Sequence, residues 1–181
     1  IRPGSGDDNV DGEGGEDTLS YSDMDAGAVI NLLTEEAFGS DIGFDRFTSI
    51  ENVDGTDGDD VIIGDEDDNV IDGEGGGDTI TGGGGNDRLD GGSSTDIAVY
   101  SGKRSDYTII ASPDAAYDFQ ITDNRLNSPD GTDLLDSFAF IQFEDIRIRD
   151  DDALSAAPTA NDDSLTVSSE SLAVLDVRAY D

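Results

Sequence analysis

The chain has 181 residues, enough for one or two small domains, and sets 44 acidic side chains against 9 basic ones for a formal net charge of -35. Such a polyanion will not seek nucleic acid or an anionic membrane surface; it will seek cations. It has no cysteine and no histidine, so disulfides, thiolate chemistry, the usual general base and the usual zinc ligand are all excluded. What remains for a metal is hard oxygen, which suits Ca2+, Mg2+ or Mn2+.

Two nonapeptides come first, PGSGDDNVD (Pro3 to Asp11) and GEGGEDTLS (Gly12 to Ser20). Each has an aspartate at its sixth position (Asp8, Asp17) and an apolar residue at its eighth (Val10, Leu19). The period then breaks over residues 21–54, which read as an insertion hanging from the repeat structure. Within it, Val29, Ile30, Leu32 and Leu33 predict a strand, and Phe44 to Val53 a turn or short helix leading into another. Asp23 to Gly27 hints at an EF-hand loop but lacks the closing glutamate.

Five in-frame repeats follow without a break: GTDGDDVII, GDEDDNVID, GEGGGDTIT, GGGGNDRLD and GGSSTDIAV, from Gly55 to Val99. Their frame, G-G-x-G-x-D-x-U-x with U a large apolar residue, is the signature of a parallel β-roll that binds Ca2+ in its turns. Five copies with a periodic Ile or Leu set this segment apart from a Gly/Asp-rich disordered linker. The glycines allow positive φ and close backbone approach, so several carbonyls can turn toward one point, and the sixth residue adds a carboxylate. The last three residues form a short strand whose eighth position points inward, giving a ladder of Ile62, Ile71, Ile80, Leu89 and Ala98. One repeat is half a coil, so residues 18 apart stack and a cation can sit between their turns.

The predicted pairs are Asp60 with Asp78, Asn69 with Asp87, and Asp78 with Asp96. If the roll resumes in register after the insertion, Asp8 pairs with Asp60 and Asp17 with Asn69. The turn residues expected around the ions are Gly55, Asp57, Gly58, Gly73, Gly75, Gly76, Gly82, Gly84, Gly85, Gly91 and Gly92. In GDEDDNVID, Asp67 stands where glycine is preferred and Asn69 lacks a full charge, which predicts a weaker site there than at Asp60 and Asp78. One apolar side chain per nine residues cannot offset the entropy of ordering those nine residues, so bound Ca2+ is expected to supply the folding free energy.

Beyond Val99 the pattern changes to alternating aromatic and β-branched residues, which read as antiparallel strands over residues 100–152 closing the end of the roll. Tyr100, Tyr107, Phe119, Phe138, Phe140 and Phe143 read as the core of this cap. Lys103 and Arg104 read as a solvated turn. Residues 153–181 read as a linker and the start of a further domain or a tail, with strand patterns at Ser164 to Val167 and Leu172 to Val177. The fold class expected is all-β: a parallel β-roll over 1–99 with an insertion at 21–54, capped by antiparallel strands. No apolar stretch reaches the roughly 18 residues of a membrane-spanning helix. The chain opens and closes inside its patterns and so reads as part of a larger polypeptide.

Pro3 to Ser20 and Gly55 to Val99 resemble the hemolysin-type (RTX) calcium-binding repeats. SIENVDGT, DIAVYSGKRSDYTI and SPDGTDLLDSFAFIQFEDIRI resemble segments found beside such repeats. The resemblance implies secretion from Gram-negative bacteria through a type I channel, unfolded, with folding outside the cell on Ca2+. PTANDDSLTV, from Pro158, resembles the start of a cadherin-like adhesin repeat. The expected role is a non-catalytic Ca2+-binding module, secreted or at the cell surface. Its parent is expected to be an adhesin, or alternatively an exoenzyme (protease, lipase or epimerase) with this as its C-terminal Ca2+ domain.

Overall fold

The computed structural model describes residues 1–154. The strand patterns at 164–167 and 172–177, the adhesin-like PTANDD stretch and most of the expected linker lie outside the described residues. Among the described residues, sixteen strands are divided between two sheets. In chain order they are β1 (Asn9–Asp11), β2 (Thr18–Ser20), β3 (Ala28–Asn31), β4 (Glu36–Gly39), β5 (Gly43–Thr48), β6 (Asn52–Asp54), β7 (Val61–Ile63), β8 (Val70–Asp72), β9 (Thr79–Thr81) and β10 (Arg88–Asp90). They continue with β11 (Ile97–Val99), β12 (Tyr107–Ala111), β13 (Phe119–Asp123), β14 (Thr132–Asp136), β15 (Phe140–Gln142) and β16 (Arg147–Arg149). One sheet runs β1-β5-β4-β3-β7-β9-β11-β15-β16 and the other β12-β13-β14-β10-β8-β6-β2.

The repeat strands pair in parallel at a spacing of one coil, as the doubled nonapeptide predicts. Ile62 is in register with Ile80, and Ile71 with Leu89. Each strand is only three residues long, so its middle residue alone faces inward. The apolar ladder is therefore two facing ladders. Ile30, Ile62, Ile80, Ala98 and Ile141 stack in one sheet, and Leu19, Val53, Ile71, Leu89 and Leu135 in the other, all buried. Leu89 packs between Ile71 and Leu135 in register. Leu89→Ala is expected to cost about 2–5 kcal/mol through the cavity it leaves, read as a lowered urea midpoint at saturating Ca2+. A midpoint equal to that of the unsubstituted chain would show that this ladder is not what holds the coils.

Residues 21–54 do not hang from the roll. They contribute three strands to one sheet (β3, β4, β5) and one to the other (β6), between the first two repeats and the remaining five. Strand β3 pairs in parallel with β7, and β6 joins β2 to β8, so the insertion continues both ladders. The turn or short helix expected from Phe44 begins instead as a strand. Asp45 and Phe47 alternate inward at period two while Arg46 faces out. Strand β3 ends at Asn31, so Leu32 is buried in the following turn and Leu33 is exposed.

Beyond β11 the chain continues each sheet once in parallel, β14 on β10 and β15 on β11, before closing with antiparallel β12, β13 and β16. Tyr100, Tyr107 and Phe143 form one aromatic group with ring centroids 5.1–5.7 Å apart. Phe119 and Phe138 are buried too, but Phe140 is not core. Strand alternation turns Ile141 inward, and Phe140 lies outward beneath Arg147 and Arg149. Arg104 sits in a short 3-10 turn (Arg104–Asp106) against the Phe143 ring and donates to the Tyr107 carbonyl.

Candidate metal centre

The glycine turns stack in two rows, one on each long edge of the roll. Turns 12–17, 64–69 and 82–87 carry the chain from the nine-stranded sheet to the other; turns 55–60, 73–78 and 91–96 carry it back. In each row the sixth residue of one turn touches its counterpart 18 residues on. Asp60 N–H donates to Asp78 Oδ1 at 2.8 Å, Asp78 N–H to Asp96 Oδ1 at 2.8 Å, and Asn69 N–H to Asp87 Oδ1 at 2.9 Å. Asp8 and Asp17 meet other partners. Asp8 N–H donates to Asp45 Oδ1 and Asp17 N–H to Glu51 Oε2, each at 2.8 Å, because the strands of residues 21–54 stand between them and Asp60 and Asn69.

The turns adopt two conformations. In 73–78 the second and fourth residues, Glu74 and Gly76, have positive φ, and in 82–87 so do Gly83 and Gly85. Turn 91–96 does the same with Gly92 and Ser94. In these open turns one carboxylate oxygen of the sixth residue is left over: Oδ2 of Asp78, Asp87 and Asp96 is buried and has no hydrogen-bond partner. Turns 55–60 and 64–69 have no positive φ. They close on themselves, because the second residue donates its N–H to the sixth side chain: Thr56 to Asp60 Oδ2 at 2.6 Å and Asp65 to Asn69 Oδ1 at 3.0 Å. Asp60 Oδ1 also accepts from Ala28 N–H and Thr56 Oγ1, and Asn69 Nδ2 donates to the Glu51 carbonyl. Of the three expected pairs, only Asp78 with Asp96 has a free oxygen on both members.

The glycines make this closeness possible. A Cβ on Gly73 would lie 2.4 Å from Asp78 Oδ2 and 2.9 Å from the Gly91 carbonyl, and one on Gly82 would lie 2.2 Å from Asp87 Oδ2. Gly55 and Gly91 stand in the same way against Asp60 and Asp96. Gly58, Gly76, Gly85 and Gly92 are crowded by backbone of the neighbouring coil, whereas Gly75 and Gly84 have more room. Asp57 is exposed; its N–H donates to the Met24 carbonyl.

Burial dominates the electrostatics. It pushes Asp78 and Asp87 up to about 7, outweighing the backbone N–H that each accepts, and neighbouring aspartates push further the same way. Asp60 and Asp96 are raised by the same cause. Asp133 is pushed up to about 8, again chiefly by burial. A divalent cation reverses this balance, since it holds carboxylates in the charged form. Among the described residues no three carboxylates converge on one point, so an ion between stacked turns would take one or two carboxylates and complete its shell with carbonyls. Buried unpartnered carboxylate oxygens beside glycine carbonyls, with no sulfur or imidazole, fit Ca2+.

Sequence reasoning missed Asp45, Glu51 and Asp133. Asp133 Oδ1 accepts the Asp87 N–H at 2.9 Å, as a sixth residue would. All three belong to the tail of the frame without its glycines: Asp45-Arg46-Phe47, Glu51-Asn52-Val53 and Asp133-Leu134-Leu135 each read acid-x-apolar, like Asp87-Arg88-Leu89. That triplet was the available signal.

No described helix is long and apolar enough to cross a membrane. No curated protein matches the chain. The family model for the RTX calcium-binding nonapeptide repeat matches in four copies, over residues 4–22, 48–80 and 73–98. These are repeats of secreted bacterial proteins, structural rather than catalytic in themselves. The stacked glycine turns thus match the RTX calcium-binding nonapeptide repeat, a family whose repeats bind several Ca2+ ions.

Proposed function

We propose that this chain is a Ca2+-gated folding module of a larger exported protein, a surface adhesin, which leaves the cell unfolded through a type I channel and folds outside. The observation that carries this reading is the set of buried, unpartnered oxygens on Asp78, Asp87 and Asp96. Unpaired buried charge of this kind opposes folding until a cation arrives. A cytosol poor in free Ca2+ then keeps the chain threadable, and the exterior folds it. The likeness of the stretch from Pro158 to an adhesin repeat supports the adhesin parent over an exoenzyme.

Far-UV circular dichroism during a Ca2+ titration, with Mg2+ as control, tests the gating. β-structure is expected to appear cooperatively at about 10⁻⁴–10⁻³ M Ca2+, the range of extracellular modules, and not with Mg2+, which demands a tighter octahedral shell. A chain already folded in chelator and unchanged by Ca2+ would remove the gating. A catalytic domain in the flanking sequence of the parent would overturn the adhesin assignment in favour of an exoenzyme.

A further inference from the structure

The last coil of the roll is built by the cap. After β11, Tyr100 takes the place that Gly82 holds one coil earlier, and Asp133 takes the place of Asp87. The hairpin of β12 and β13 is inserted between these two positions. Leu135 keeps register with Leu89, so the turn is closed although its glycines are gone. Between this turn and the preceding one lies a cavity of about 120 Å³, lined by Gly82 and Gly83 on one side and by Tyr100, Asp130 and Asp133 on the other.

Two buried polar atoms in this turn region lack partners. One is Asp87 Oδ2, on a side chain 1 % exposed, directly against Gly82, which lines the cavity. The other is the hydroxyl of Tyr100, 5 % exposed, which lies beside Asp133 and has no hydrogen-bond partner. Asp130 is saturated: it accepts from Ser101 N–H and Oγ and from the Tyr107 hydroxyl, and lies 3.1 Å from Arg125. Arg125 is held in turn by Asp123 at 2.7 Å. Arg125 is therefore engaged away from Asp87 and Asp133, and Arg104 is turned onto the Phe143 ring and the Tyr107 carbonyl.

The geometry points to a Ca2+ site shared between the last glycine turn and the cap, with Asp87, Asp133 and the Tyr100 hydroxyl as side-chain ligands. It rests on the Ca2+ reading of the repeats and extends it to a turn that has no glycine frame. The cavity exceeds the roughly 30 Å³ share of one water, so an ion can keep a water in its shell. Bound there, the ion ties the cap to the roll, and closure of this end is Ca2+-linked too.

The test uses the full chain and Tb3+ as a luminescent Ca2+ substitute, excited directly to count ions and through tyrosine to report an ion beside Tyr100. Asp133→Asn keeps an amide oxygen that can accept the Asp87 N–H, as the Asn69 amide oxygen accepts the Asp65 N–H, and removes the charge. It is expected to bind one ion fewer per chain and to lose most of the tyrosine-sensitised emission. Equal ion counts and equal sensitised emission would overturn the site. Should Asp133→Asn fail to fold at saturating Ca2+, Tyr100→Phe decides: reduced sensitised emission supports the site and unchanged emission overturns it. A chain that binds no Tb3+ under direct excitation would defeat the repeat reading itself, and this site with it.

Discussion

Gly83→Ala is expected to unstack the glycine turns of one edge of the roll. Gly83 has φ +103, and a Cβ there would lie 2.0 Å from the Asp65 carbonyl oxygen of the preceding coil. The strained φ alone costs about 1–3 kcal/mol. The clash adds to it, because the obstacle is backbone rather than a flexible side chain and gives way only if the coils separate. Separation would also pull Asn69 N–H away from Asp87 Oδ1 and spoil the cradle in which that carboxylate stands. The substituted chain is expected to show a much lower urea midpoint at saturating Ca2+, or no folded baseline. Gly14→Ala is the matched control, since a Cβ there meets nothing within 4 Å, and it is expected to be near neutral. Equal midpoints for the two variants would show that close approach of the turns is not what the glycines provide.

In calcium-free buffer the chain is expected to lose stability as pH rises through neutrality, the reverse of ordinary acid denaturation. Asp78 and Asp87 are pushed up to about 7 and Asp133 up to about 8 in the folded chain, from an ordinary 3.8. The folded state therefore holds these protons more tightly than the unfolded one. Their contribution is fully present below the unfolded value and is lost as pH rises through 7 to 8. With Ca2+ the sign inverts, because the ion binds the deprotonated carboxylates and must displace their protons. Between about pH 5 and pH 9 the residual β-structure of the metal-free chain, read by far-UV circular dichroism, is expected to fall with pH, and the urea midpoint at saturating Ca2+ is expected to rise. Parallel curves would mean that these carboxylates do not hold the ions.

The nonapeptide period by itself determined the all-β class, the coil of two repeats, the inward residues and the choice of Ca2+. Each of these follows from local rules: a strand of three residues has one inward position, glycine turns bring carbonyls together, and carboxylates without histidine or cysteine select hard cations. It also marked GDEDDNVID as the unusual repeat, but the turn of Asp60, in a repeat that looks ordinary, closes on itself in the same way as that of Asn69.

Three things were decided only by the tertiary structure. Residues 21–54 join both sheets, because their acid-x-apolar triplets at Asp45 and Glu51 can stack on a repeat without its glycines. Asp60 is occupied by Ala28 and Thr56 although its repeat looks ordinary, since the path of its turn depends on what packs beside it. Asp133 lies 46 residues beyond Asp87 in the chain yet directly against it, because the coil between them also carries the β12–β13 hairpin, which pairs onto β14 at the end of the same sheet. Stacking is a contact between coils, and the distance along the chain between two coils is set by whatever is inserted between them, which no nine-residue window reports.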